Sequence, residues 1–160
     1  MLTYKVLDNS YKNVKEVILN HFHISNRLLT KLKSNQRIFL NGKKVYVTNP
    51  ITFDDVIEID IDFEEKSENI VPTKIDFEII YEDDYLLIIN KNSNLPVHPS
   101  ILHYEDSLSN GVSYYFKEKN INKKIRPVNR LDKDTSGIVI FAKNEYVQES
   151  LIKQMKNNIF

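Results

Sequence analysis

The stretch "RPVNRLDKDTSGIVIFAKN" (residues 126–144) joins an acid-rich turn to a short apolar run. Asp132, Asp134 and Ser136 fall at alternate positions ahead of Gly137, one of only three glycines in the chain. The run "GIVIFA" is rich in β-branched residues and is bounded by turn residues, which is typical of a strand. We therefore predict two strands, "PVNRLD" and "GIVIFA", on either side of a "KDTS" turn in which the glycine supplies a positive φ.

Two chemical interpretations of this stretch fail on its own residues. A calcium loop of the EF-hand type needs a bidentate glutamate at its twelfth position, where the chain has Lys143. A phosphotransferase loop with a nucleophilic first aspartate needs an apolar, buried strand just upstream. The upstream residues "KKIRPVNRL" are basic and contain Pro127. We therefore expect neither a metal site nor a phosphorylated aspartate here.

Arg130 and Asp132 lie two residues apart in the predicted strand, so both side chains face one way while Leu131 faces the core. A neighbouring arginine favours the ionised carboxylate and holds its rotamer through charge-assisted hydrogen bonds. A nucleophile or general base needs that ionised form. The same residues also suit an ordinary surface Arg–Asp pair beside a Ser/Thr turn, and taken alone they slightly favour this structural interpretation.

Charge is distributed unevenly along the 160 residues, although the formal net charge is zero. Residues 1–53, the basic head, contain nine Lys or Arg and two acids, whereas residues 54–69 contain one Lys and eight acids. A polyanion responds to the local field, because charges beyond a Debye length are screened. A nucleic-acid partner for the basic head is therefore compatible with the neutral total.

Cysteine content and hydropathy limit the remaining classes of protein. The chain has no cysteine, which excludes disulfides and thiolate metal sites. No stretch reaches the length of a transmembrane helix, and the N-terminus has no apolar signal core. We expect a cytoplasmic monomer with no membrane partner.

Hydrophobic periodicity predicts an α+β protein with two parts and a linker. In residues 1–62 we predict two helices, a hairpin turning at "NG" and a half-buried strand in "DDVIEIDIDF". Residues 63–73 are polar and charged and are interpreted as the linker. In residues 74–160 we predict a β-turn-β pair, a helix over 107–117, the two strands described above and a final amphipathic helix.

The first part carries basic side chains that could follow a phosphate backbone. The six candidates are Arg27, Lys31, Lys33, Arg37, Lys43 and Lys44. A solvated helix face is the more common explanation for such charges. The order of the elements favours binding, since "ISNRLLTKLKSNQRIFLNGKKV" and "ITFDDVIEI" resemble the small alpha-L RNA-binding module of a ribosomal small-subunit protein and many RNA-modifying enzymes. That resemblance implies recognition of structured RNA through its shape and phosphates.

The opening stretch itself resembles a family signature. "NRLDKDTSGIVIFAK" is similar to the H-R-L-D-x-x-T-S-G signature of the RluA-type pseudouridine synthases, and "DDYLLIINKNSNLPVHPS" resembles the other motif of that family. The resemblance implies part of a mixed, mainly antiparallel catalytic sheet and an enzyme that detaches uracil in RNA, rotates it and rejoins it through carbon. It implies no cofactor and no metal, and RNA, in particular ribosomal RNA, as the partner.

Individual residues acquire roles from this resemblance. Asp132 matches the essential aspartate, and Arg130 matches an arginine that fills the gap left by a flipped uridine. Lys91, Pro96, Val97 and His98 match the first motif, in which we interpret the histidine as structural.

Three positions depart from the family pattern, and so does the length. Asn129 replaces the usual His of the signature, and Asn92 and Asn94 replace the usual Pro and Gly of the first motif. The family continues past the last predicted helix with a Lys-x-Tyr strand, so we expect a chain truncated within its catalytic domain. A non-catalytic RNA-binding protein derived from such an enzyme is the alternative function.

Overall fold

Two units make up the chain in a computed structural model that describes residues 1–67 and 69–160. The first unit is Met1–Phe63 and the second is Glu64–Phe160. Both combine helices with an antiparallel sheet, which confirms the predicted α+β class. None of the helices within the described residues has the length and apolarity needed to cross a bilayer.

The first unit is a four-stranded antiparallel sheet with helices between its first two strands. Its elements are β1 (Leu2–Lys5), α1 (Val14–Glu16) running into a π-helical stretch (Val17–His21), α2 (Asn26–Ser34), β2 (Ile38–Leu40), β3 (Lys43–Lys44) and β4 (Val56–Ile59). The strand order is β1-β4-β2-β3. Sequence analysis did not predict β1, because "LTYK" is not an apolar run and becomes a strand only by pairing along β4.

Local signals explain the rest of this unit. The Ser25 hydroxyl caps α2 by accepting a hydrogen bond from the Leu28 amide at 3.1 Å. Asn41 and Gly42 both have positive φ, 51° and 81°, which confirms the predicted tight hairpin turn between β2 and β3. The helices and the sheet bury an entirely apolar core that includes Val14, Val17, Ile18, Leu28, Leu32, Ile57 and Ile59.

The second unit packs a three-stranded antiparallel sheet against a helix. Its elements are β5 (Glu78–Glu82), β6 (Leu86–Lys91), α3 (Leu108–Glu118), β7 (Gly137–Ala142) and α4 (Glu145–Lys156), with strand order β5-β6-β7. One face of the sheet meets α3 in a core of Leu87, Ile89, Val139, Phe141, Leu108, Val112 and Phe116. A capping box at Ser107 and Asn110 begins α3, close to the predicted start.

Polar contacts join residues 64–67 and 69–73 to the rest of the second unit. The Glu65 carboxylate forms an ion pair with the buried Arg126, with Nη2 at 2.9 Å from Oε1. The Thr73 amide donates to the Asn110 carbonyl at 3.1 Å. Most of the stretch interpreted as a linker therefore has specific partners in the unit that follows it.

The predicted strand "PVNRLD" is wrong. Only an isolated bridge joins Pro127 to Phe141, and residues 128–132 do not form a strand. The side chain of Asn129, rather than the backbone, bonds to the edge of β7 at this point. The other half of the prediction is confirmed, because "GIVIFA" is β7 and its first residue, Gly137, has a φ of 143°.

Candidate functional site

An open cleft in the second unit lies between the loop after β6 and the segment before β7. It has a volume of about 370 Å³. Its walls are residues 96–100 on one side and 130–133 on the other. The cleft thus brings together the two stretches of sequence that resemble family motifs, although 30 or more positions separate them in the chain.

The first wall is anchored to the start of α3. The Leu108 amide donates to the Pro96 carbonyl at 2.8 Å, and the Ser109 amide donates to the Val97 carbonyl at 3.0 Å. The Ser109 hydroxyl also donates to the Val97 carbonyl at 2.7 Å. These donors include N–H groups of the first helical turn, which have no partner inside the helix. Val97 itself is buried in the core, so the loop is held from below and from the side.

The second wall is a tight turn that presents Asp132. The Thr135 amide donates to the Asp132 carbonyl at 3.0 Å, which closes the turn predicted for "KDTS". Leu131 packs against the core, whereas Arg130 and Asp132 are exposed. A Cβ atom on Gly137 would lie 3.3 Å from Cδ1 of Leu131, so the glycine also permits this close approach.

The predicted ion pair between Arg130 and Asp132 is wrong for this structure. The described residues contain no salt bridge or hydrogen bond between these two side chains. Residues 128–132 do not form a strand, although Leu131 still packs against the core, as predicted. Both side chains still line the same cleft.

A buried ammonium connects the two walls. Lys91, at the end of β6, is only 1% exposed. Its Nζ donates to the carbonyls of Asn92 at 2.9 Å, Leu95 at 2.8 Å and Lys133 at 3.1 Å. The Leu95 amide donates to the same Lys133 carbonyl at 3.0 Å. Burial lowers the pKa of Lys91, while the nearby Asp134 acts in the opposite direction.

His98 lines the cleft beside Arg130. Although the residue as a whole is exposed, partial desolvation of its ring lowers the pKa of His98, and the positive charge of Arg130 lowers it further. Both causes favour the neutral imidazole. The cleft is therefore lined by Arg130, Asp132, Lys133 and a histidine whose lowered pKa favours its neutral form.

The basic residues proposed for RNA binding all lie in the first unit, but not in equivalent settings. Arg27, Lys31 and Lys33 are on α2, and Lys43 and Lys44 form β3. The Nη1 atom of Arg37 donates to Asp60 Oδ2 at 2.8 Å, and its guanidinium lies over the ring of Phe63 at 5.7 Å. The guanidinium of Arg37 is therefore already paired with a carboxylate of the same unit.

A groove of about 670 Å³ runs past the C-terminal end of α2 and along β3. Lys33 and Lys44 line it together with Tyr46, whose side chain is 84% exposed. The tyrosine was not among the predicted residues, although an aromatic residue among lysines is a common feature of surfaces that bind nucleic acids.

Within the described residues, no group of three or more His, Asp or Glu side chains is placed to hold a metal ion.

Comparisons with known proteins agree with the architecture of the second unit. Residues 85–159 match the family model described as RNA pseudouridylate synthase. The ribosomal large subunit pseudouridine synthase D of Borreliella burgdorferi is 42% identical over 127 residues, which are 73% of this chain and 38% of that protein. Residues 85–159 of the chain belong to the RNA pseudouridylate synthase family. Two further relatives carry the similarity across most of the chain.

The protein of the same name from Blochmanniella floridana is 37% identical over 150 residues, 84% of this chain and 46% of the relative. The RNA pseudouridine synthase YjbO of Bacillus subtilis is 31% identical over 137 residues, 85% of this chain and 48% of the relative. The chain thus spans less than half the length of these relatives. Its family-matched region, 85–159, includes both walls of the cleft.

Proposed function

We propose that this chain supplies the RNA-binding module and the cleft of a pseudouridine synthase that modifies specific uridines in ribosomal RNA. The enzyme detaches uracil from its ribose, rotates it and rejoins it through carbon, as the family resemblance implies. The names of two of the relatives described above support ribosomal RNA as the substrate class. We further propose that the protein acts as a monomer in the cytoplasm.

One observation carries the proposal. The cleft of the second unit has Asp132 and Arg130 on one wall, and both residues lie within the region that matches the family. We assign Asp132 as the catalytic carboxylate and Arg130 as the residue that fills the gap left by the flipped uridine. Flipping is needed because a stacked base hides its glycosidic bond.

The first unit is proposed to bind the surrounding RNA. Lys33 and Lys44 line an open groove that also contains Tyr46, which suits phosphate contacts and stacking of a base on an aromatic ring. Arg37 is assigned a weaker role than Lys33 and Lys44, because Asp60 is already paired with its guanidinium. Among the described residues, Lys33 and Lys44 form no ion pair with a carboxylate, and Lys44 instead donates to the neutral Gln36.

Replacing one carboxylate of the turn tests the catalytic assignment. We expect Asp132→Asn to abolish conversion of uridine in a ribosomal RNA transcript, with a loss of at least about 1000-fold in rate, since the amide cannot act as a nucleophile or base. Conversion is measured as pseudouridine formed per mole of enzyme, with RNA binding measured in parallel.

Asp134→Asn is the matched control, because it removes an equal charge two residues away and should preserve most of the activity. Full activity in Asp132→Asn would refute the assignment. Tight RNA binding by a wild-type chain that converts no uridine would favour the non-catalytic RNA-binding protein instead.

A further inference from the structure

The segment that leads to the catalytic turn begins as a backbone neighbour of β7. The Ala142 amide donates to the Arg126 carbonyl at 2.9 Å, and the Val128 amide donates to the Ile140 carbonyl at 2.7 Å. These two bonds follow the pattern of an antiparallel ladder. If the ladder continued, the Ile140 amide would donate back to the Val128 carbonyl, because a hydrogen-bonded pair exchanges both bonds.

The side chain of Asn129 takes the place of that backbone partner. The Ile140 amide donates to Asn129 Oδ1 at 2.8 Å, and Asn129 Nδ2 donates to the Ile138 carbonyl at 2.9 Å. A primary amide carries an acceptor and a donor like those of a peptide group. Two polar groups on the edge of β7 are therefore satisfied without any backbone atom of the residues that follow Asn129.

Because a side chain makes these two bonds, the backbone after Asn129 can turn away from the sheet. Directly after Asn129, Arg130 and Asp132 line the cleft, while Leu131 returns to the core. A regular strand would have kept these residues beside β7, as sequence analysis predicted. We propose that Asn129 is a positioning residue, whose side-chain amide ends the ladder and thereby directs Arg130 and Asp132 into the cleft.

Other side chains meet the two requirements of this position to different degrees. Leucine is close to asparagine in size and offers neither a donor nor an acceptor. Aspartate keeps an acceptor for the Ile140 amide but turns a charged oxygen toward the Ile138 carbonyl. Histidine can donate from one ring nitrogen and accept at the other only while it is neutral. Asparagine makes both bonds at any pH near neutrality, whereas a histidine would make both bonds only above its pKa.

The test compares Asn129→Leu, Asn129→Asp and Asn129→His in the full chain, and it rests on the proposed function for its activity measurements. Asn122→Leu is the matched control, because that exposed amide has only a 3.4 Å contact with Glu64. Three quantities are measured. These are kcat and KM for uridine conversion, the dependence of kcat on pH, and the exchange of individual backbone amide protons.

We expect Asn129→Leu to lower kcat about 100-fold while KM changes less than about twofold, as a small misplacement of reacting groups does. Asn129→Asp should lower kcat by a similar factor. Asn129→His should retain activity near pH 8 and lose it as the pH falls through about 6.5, whereas wild type has no such loss from this position. Asn122→Leu should match wild type.

Amide exchange separates this inference from the proposed function. If wild type converts no uridine, the proposed function fails, but exchange of the Thr135 amide still reports whether Asn129 holds the turn. In Asn129→Leu we expect faster exchange at Thr135 and Ile140, with the amides of β6 as protected as in wild type. Unchanged exchange at Thr135, or loss of protection throughout the second unit, would overturn the positioning role.

Discussion

The two units of this chain differ in whether they bury polar side chains. Among the described residues, every buried polar or charged side chain lies in the second unit. They are Lys91, Ser107, Ser109, Asn110, Ser113, Arg126, Lys143, Asn144 and Glu145. In the first unit, every described buried side chain is apolar, and its charges are exposed or half-buried.

This difference follows from what each unit has to hold in place. A surface that meets phosphates needs only a rigid apolar core beneath exposed cations, since burying those charges would remove them from the partner. A cleft made from irregular loops has many backbone groups outside ladders, and buried polar side chains satisfy them. Lys91 does this for three carbonyls, and the half-buried Asn129 satisfies two groups on β7.

The strongest test of the comparison removes one cation from each unit. Lys91→Met removes the ammonium donor from the carbonyls of Asn92 and Leu95, while the Lys133 carbonyl keeps the Leu95 amide. We therefore expect the second unit to lose about 2 to 3 kcal/mol of stability. Lys44→Met, at an exposed position in the first unit, should change stability by less than about 0.5 kcal/mol. Native-state amide exchange in β6 and β7 is compared with exchange in β2 and β4, which reports each unit separately.

Equal losses in the two variants would refute the contrast between a buried and an exposed cation. A loss in β2 and β4 after Lys91→Met would show that the effect is not local to the second unit.

Charge on the first unit gives the next largest expected effect. Neutralising Lys33 and Lys44 together, as Lys33→Gln and Lys44→Gln, should weaken binding to a structured ribosomal RNA fragment about tenfold and reduce the salt slope by about 1.5. The matched control is Lys117→Gln with Lys124→Gln, two exposed lysines of the second unit. Binding is measured at several salt concentrations. An equal loss in the control pair would mean that overall charge, rather than the groove, determines affinity.

The smallest expected effect concerns acid sensitivity, with one carboxylate tested in each unit. Burial acts to raise the pKa of Glu82, but hydrogen bonds from Tyr115 and Lys143 outweigh it and lower that pKa. The hydrogen bond that Tyr115 donates to Glu82, together with burial, raises the pKa of Tyr115 to about 12. In the first unit, hydrogen bonds from Asn41 and then from Thr52 lower the pKa of Asp55.

A carboxylate whose pKa is lower in the folded state stabilises the fold above its unfolded pKa, and this contribution is lost as the pH falls through the folded value. Glu82→Gln should therefore make the second unit less sensitive to acid between about pH 5 and pH 3, and Asp55→Asn should do the same for the first. Protection factors of β5 and β4 amides measure the two effects. A change in the opposite unit would contradict the assignment.

Local signals in the sequence predicted most of the elements for identifiable reasons. Ser25 predicted the start of α2, Asn41-Gly42 the hairpin, and Gly137 the positive φ at the start of β7. Each acts through atoms within a few residues. The strand β1 was missed because its pairing partner, β4, lies more than fifty positions away in the chain.

The site was predictable as motifs but not as geometry. Asp132 and Arg130 were proposed from the family resemblance of the residues around them, whereas the ion pair expected between them is absent among the described contacts. That expectation rested on an extended strand. The strand does not form because Asn129 bonds to β7 through its side chain. Those bonds depend on the positions of Ile138 and Ile140, which the residues next to Asn129 do not determine.

The sequence by itself determined the α+β class, the turns and caps and the uneven charge, because these depend on local periodicity and residue chemistry. Only the tertiary structure decided that Lys91 joins two loops, that Arg37 is already paired with Asp60, and that Asn129 replaces a peptide group. Each of these is a hydrogen bond between groups far apart in the chain. Such a bond depends on the packing that brings its donor and acceptor together, which local sequence patterns do not encode.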